Sequence, residues 1–227
     1  MLLMIDAGDD SEYSSASETL NDDSYVPQTA AKIRHTISLN KEKVAPLATK
    51  WTFWLDSQKS KNATKQDYEA GLQVIFSVET VQEFWGVFKN IPTPSRLSNR
   101  VSYHLMRQNR KPLWEDSENE NGGIYTYRCP KDKTNTVWEE LCLAAIGEQF
   151  SFNDSDDIVG ISVQSRDGPQ DIVQIWNSNP SEQAQKAIDD KVRSLFPETN
   201  FAVKFYKPNS SHANFDAGNQ PKSKYSS

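Results

Sequence analysis

A chain of 227 residues and 25.8 kDa is long enough for one sizeable core, which points to one domain with tails rather than two domains. Its formal charge of −6 is unevenly placed: residues 1–31 hold seven acids and no Lys or Arg, so the rest of the chain balances near neutrality, with 25 basic against 24 acidic residues. Such a remainder cannot coat a phosphate backbone as general nucleic-acid binders do, so any RNA recognition must be small and local.

Taken in order, residues 1–35 are an acidic, Ser-rich tail whose composition cannot offset the entropy of ordering, and they are expected to be disordered. Met1 to Ile5 is apolar but lacks a basic start, and no other apolar run approaches about 18 residues, so neither a signal peptide nor a membrane span is expected. Trp51–Leu55 and Leu72–Val78 read as strands on either side of a polar loop. Thr80-Val81-Gln82-Glu83 is a capping box opening a helix with Phe84, Val87, Phe88 and Ile91 on one face, ended by Pro92 and Pro94.

Val101–Arg107 and Ile124–Arg128 are the next strands. Thr136-Val137-Trp138-Glu139 reads as a second capping box, with its helix running to about Gln149. Ile158–Ser165 and Ile172–Trp176 pair as a hairpin through Arg166-Asp167-Gly168-Pro169. Asn179 and Pro180 open a third helix with Ala184, Ile188, Val192 and Leu195 on one face; Phe201–Tyr206 is a last strand, and residues 209–227 form a flexible tail. The folded domain therefore spans residues 36–208. Three helices among at least seven strands, most of them closely spaced, predict an α+β fold, a curved, mostly antiparallel sheet with the helices on its convex face and a concave face open to a ligand.

Cys129 and Cys142 match no metal spacing and read as free, buried thiols in a reducing compartment. Three scattered histidines (His35, His104, His212), no Gly-rich phosphate loop after a strand and no clustered carboxylates give an enzyme nothing to work with, so no catalytic residue, metal or cofactor is expected. The chemistry lies instead in Pro112-Leu113-Trp114-Glu115-Asp116. An indole face attracts a purine made cationic by alkylation, and the carboxylate beside it accepts two ring N–H donors in a charge-assisted pair.

Six tryptophans, more than such a core needs, stand in ordered strings: Lys50-Trp51-Thr52-Phe53-Trp54, Thr80-Val81-Gln82-Glu83-Phe84-Trp85, Pro112-Leu113-Trp114-Glu115, Gly122-Gly123, Val137-Trp138-Glu139-Glu140-Leu141 through Ile146-Gly147-Glu148-Gln149-Phe150, and Gln174-Ile175-Trp176. Over about residues 44–208 the sequence resembles the messenger-RNA cap-binding translation initiation factor 4E family, most like its divergent class III branch. The resemblance implies 7-methylguanosine on the concave side, sandwiched between Trp114 and a second ring that falls on Tyr68, with Glu115 on the base edge, Trp176 near the N7-methyl group and Arg166 on the phosphates. Asp167 and Asp171, in a stretch where the family has a Lys, are expected to repel a triphosphate and to lower the affinity.

The resemblance also implies a second surface, formed by Pro46, Val81, Trp85, Glu140 and Leu143, that takes an amphipathic helix from the scaffold factor 4G. 4E-binding repressors are implied as further partners, although Glu139 stands where the common branch has an apolar residue. The function so implied is recruitment of capped messenger RNA to the initiation machinery, with competition for caps or for 4G, and hence repression, as the alternative. A monomer in the cytoplasm, with the nucleus as a second compartment, completes the expectation.

Overall fold

Seven strands pair antiparallel in the computed structural model, which describes residues 25–39, 44–57, 69–150 and 157–211. They are β1 (Pro46–Asp56), β2 (Leu72–Thr80), β3 (Ser102–Arg107), β4 (Gly123–Pro130), β5 (Ile158–Gln164), β6 (Gln170–Asn177) and β7 (Lys204–Pro208), in the order β2-β1-β3-β5-β6-β4-β7. Four α-helices accompany them among the described residues: α1 (Tyr25–Leu39), α2 (Val81–Phe88), α3 (Thr134–Ile146) and α4 (Glu182–Leu195). The sheet is open and curved, an α+β fold as expected, and register shifts at Phe53/Trp54 and at Ile158/Gly160 add local bends.

Alternation along the strands gives the sheet two unlike faces. Trp51, Phe53 and Leu55 of β1, Tyr103 and Leu105 of β3, Ile161 and Val163 of β5, and Val173 and Ile175 of β6 point to the helix side, where they meet Phe84, Val87, Val137, Trp138 and Leu141. The intervening residues point the other way, and Trp54, Met106, Ile124 and Trp176 among them form a separate cluster with Val159, which joins it at the register shift between Ile158 and Gly160. A staple fixes the helix layer to the sheet: Arg107 makes two bonds to Glu148, at 2.7 and 2.8 Å, and its guanidinium lies 4.6 Å from the Trp51 ring centroid. Glu148 reaches Arg107 from just past the end of α3, in a left-handed backbone conformation with φ 52°.

The capping box at Thr80 is present: Thr80 Oγ1 accepts from Glu83 N at 3.2 Å, and Glu83 Oε2 accepts from Thr80 N at 3.1 Å. The one expected at Thr136 is not. The N-cap of that helix is Lys133, three residues earlier and without a side-chain capping bond, and the Thr134 hydroxyl at the first helical position donates to Asp171 Oδ2 at 2.9 Å. At the third expected helix Ser181 rather than Asn179 is the N-cap, its Oγ accepting from Ala184 N at 3.3 Å.

Both expected tail boundaries move. Residues 25–35 are helical, since Thr29 and Ile33 are buried and, with half-buried Ile37, recur every four residues to make a stripe that docks α1 on α2. The docking is close because Gly86 has no side chain; a Cβ there would lie 3.0 Å from Ile37 Cγ1. At the other end Asn209 is 2% exposed, its N–H donating to Gly122 O at 2.9 Å. Residues 1–24 and 212–227, which hold most of both expected tails, lie outside the described residues.

Candidate ligand-binding face

Register assembles the floor of the concave face. One cross-strand row runs Trp54–His104–Ser162–Gln174–Thr126, and the next runs Thr52–Met106–Gly160–Trp176–Ile124. Trp54 and Trp176, 9% and 4% exposed, are thus brought into one apolar cluster from strands far apart in sequence. Beneath them Trp176 Nε1 donates to Ser162 Oγ at 2.8 Å, and Ser162 Oγ lies 2.7 Å from His104 Nδ1. Among the described residues His104 Nε2 and Trp54 Nε1 have no hydrogen-bond partner.

Trp114 packs half-buried against this cluster, carried by the loop between β3 and β4. The loop is held by a buried side chain, Asn119, whose Nδ2 donates to Lys111 O and to Leu113 O, both at 2.8 Å. Asp116 ends the turn, its Oδ1 accepting from Glu118 N at 3.0 Å. Asn209 supports the loop from the far edge of the sheet, its Nδ2 donating to Asn119 O at 2.8 Å. The Gly122-Gly123 pair is required just below, for a Cβ on Gly122 would sit 2.0 Å from Asn177 O. Glu115, half-buried, follows Trp114 on the same loop. Asn119 and Asn209 carry no motif, and only their partners at long sequence separation reveal them.

Tyr68 lies outside the described residues. Its neighbour Glu69 pairs with Lys111 at 2.5 Å, three positions before Trp114, and the carboxylate both bonds and attracts the ammonium, raising the Lys111 pKa. Arg166 sits where β5 leads into β6, its Nη1 donating to Gln164 Oε1 at 3.0 Å. The expected pair of repelling carboxylates is corrected by the fold. Asp171 shares parity with Val173 and Ile175, so it turns to the helix side, where it is 1% exposed and accepts from Lys131 Nζ at 2.8 Å, from Thr134 and from Arg166 N. Asp167 remains exposed and is engaged by Asn99.

On the opposite side Val81 N donates to Ala45 O at 2.9 Å, which seats Pro46 beside the start of α2. Trp85 is half-buried, edge-on to Phe84 and Phe88 at 5.4 and 5.9 Å. Phe88 stacks on Trp138 at 6.3 Å, setting α3 alongside α2, and exposed Glu140 and half-buried Leu143 stand three residues apart on α3. A cavity of about 480 Å³ also opens on this side, lined by Tyr127, Phe196, Phe201 and Asp189, but the Asp189 carboxylate is taken up by Lys204 and Arg193. Both cysteines are buried, and burial pushes the Cys129 thiol up to about 11. Among the described residues no group of three or more His, Cys, Asp or Glu could hold a metal ion, and no helix is long and apolar enough to cross a membrane.

Burial pushes the His104 imidazole down to about 3 from its ordinary 6.5. Between those values the unfolded chain binds a proton that the native state does not. The stability present above pH 6.5 is therefore lost as pH falls through this window, by about 1.4 kcal/mol per unit for one such group. Urea unfolding between pH 7 and pH 4 is expected to show a steeper loss in the parent than in His104→Asn. Equal slopes would mean that His104 is solvated in the native state.

The family model described as eukaryotic initiation factor 4E matches residues 46–224. Eukaryotic translation initiation factor 4E-1 of Cucumis melo is 39% identical over 162 residues, covering 70% of this chain and 66% of its own length, and that of Zea mays is 37% identical over 151 residues, covering 66% and 67%. The chain thus spans just under two thirds of the first of these relatives. Among solved structures, a complex of Ascaris suum eIF4E-3 with m7G cap is similar at TM-score 0.65 and 25% identity, covering 73% of this chain and 92% of that one. A complex of C. elegans eIF4E-3 with the 4E-binding protein Mextli and cap analog shares the fold at TM-score 0.65 and 24% identity, covering 79% and 98%.

Proposed function

Because the chain belongs to the eukaryotic initiation factor 4E family, we propose that its concave face binds the 7-methylguanosine cap of messenger RNA and that its helix face recruits the capped message to the initiation machinery through scaffold factor 4G. The family consists of cap-binding translation factors and not of enzymes. The observation that carries the reading is the seating of Trp114 against the Trp54–Trp176 cluster with Glu115 beside it. A flat cationic purine between Trp114 and Tyr68 gains two π faces, Glu115 accepts from its N–H edge, and Trp176 lies toward the N7-methyl group.

Arg166 supplies the phosphate contact, worth on the order of 1.5 to 3 kcal/mol as a charge-assisted bond. With Asp171 turned away and paired with Lys131, Asp167 is the one left of the two carboxylates expected to oppose it, which weakens the case for a repressor with attenuated affinity. Pro46, Val81, Trp85, Glu140 and Leu143 form the 4G side, and 4E-binding repressors compete for the same surface. The protein works as a cytoplasmic monomer in this reading. Retention on immobilised 7-methylguanosine triphosphate tests it. Elution by free 7-methylguanosine diphosphate but not by guanosine diphosphate is the expected result, and equal elution by both would overturn the reading.

A further inference from the structure

An indole N–H can only donate, so Ser162 Oγ must accept from Trp176 Nε1 across their 2.8 Å contact. In the tautomer that carries the imidazole proton on Nε2, the serine hydrogen is donated to His104 Nδ1, 2.7 Å away. All three side chains are buried, His104 and Trp176 each 4% exposed and Ser162 2%, so water does not compete for these bonds. Trp54, in the same cluster, has no hydrogen-bond partner for its own Nε1 among the described residues. Trp54 therefore lacks the anchoring that Trp176 has, although both stand in one cluster.

We propose that Ser162 and His104 are positioning residues for Trp176: the run of hydrogen bonds from indole to serine to imidazole fixes the plane of the ring and draws its N–H outward, leaving more electron density on the ring that lies toward the N7-methyl group of a cationic base. Successive bonds polarise one another in a site closed to water, and an electron-rich ring holds a cation more strongly. The pair thereby sets how far a methylated guanine is preferred over a plain one. This rests on the cap reading above, since only the methylated base is cationic.

The test uses the full chain with 15N-labelled tryptophan indoles, observed without ligand and then titrated with 7-methylguanosine triphosphate and with GTP. Ser162→Ala and His104→Leu are expected to move the Trp176 indole N–H resonance upfield and to cut the preference for the methylated nucleotide about three- to tenfold, the range for one net hydrogen bond. Ser162→Thr keeps the hydroxyl, and His104→Asn puts an acceptor in the place of Nδ1. Both should retain the resonance and the preference, which separates positioning from mere packing. An unmoved resonance in Ser162→Ala, or a moved one with unchanged preference, overturns the proposal. A parent protein without any preference would instead overturn the cap reading, with the unliganded spectrum still reporting whether the hydrogen bond exists.

Discussion

Trp114→Ala is expected to weaken binding of 7-methylguanosine diphosphate by about 1 to 3 kcal/mol, or roughly 5- to 150-fold in Kd, the worth of one base stacked on an aromatic ring. The effect should be local, because Trp114 is half-buried and leans on the small concave-face cluster, while the main core lies across the sheet. The loop is held by Asn119 through backbone carbonyls and does not need the indole to keep its shape. Glu115→Gln should add a loss of a different kind. The amide keeps one acceptor but puts a donor where guanine also donates, so adenine nucleotides should suffer less than guanine ones. Fluorescence titration with melting curves measures both; unchanged affinity in Trp114→Ala would mean that the ligand lies elsewhere.

Trp85→Ala is expected to abolish detectable binding of a 4G-derived helical peptide while leaving nucleotide affinity as it was. A half-buried Trp beside Val81 on one helix edge fits an interface anchor, and truncating such an anchor commonly costs 2 kcal/mol or more. The concave face lies behind the sheet and shares no side chain with it. Because Trp85 also touches Phe84 and Phe88, some loss of stability accompanies the change. Glu140→Lys, at an exposed position, provides the second variant and should weaken the same peptide without moving the melting temperature. Calorimetry with both ligands decides. Loss of nucleotide binding along with peptide binding would place Trp85 in the core, not in an interface.

The strands were legible because most of them separate an apolar face from a mixed one, so a period of two survives in the sequence. The same parity could have placed Asp171 with Val173 and Ile175 on the helix side; its place in the stretch where the resembling family has a phosphate-binding Lys pointed to the phosphates instead. Helix α1 was hidden by the acidic stretch ahead of it, although Thr29, Ile33 and Ile37 at spacings of four carry its signal. Trp114 and Glu115 could be named from sequence as residue types suited to a purine, and Trp176 through the family resemblance. What supports them could not, because Asn119 with Asn209 and His104 with Ser162 are joined across 90 and 58 residues, and such pairs emerge only once the strands have a register.

The Asn209–Asn119 bond ties the exit of the last strand to the loop that presents Trp114. Asn209 N–H also donates to Gly122 O, so two bonds join the edge of the sheet to the two ends of that loop's second half. An aromatic presented on a surface loop would ordinarily open independently of the fold. Here the two bonds couple the loop to the edge strand, so hydrogen exchange is expected to find the amides of both opening together. The free energy that keeps β7 zipped to β4 is therefore also the free energy that keeps the indole ready for its ligand.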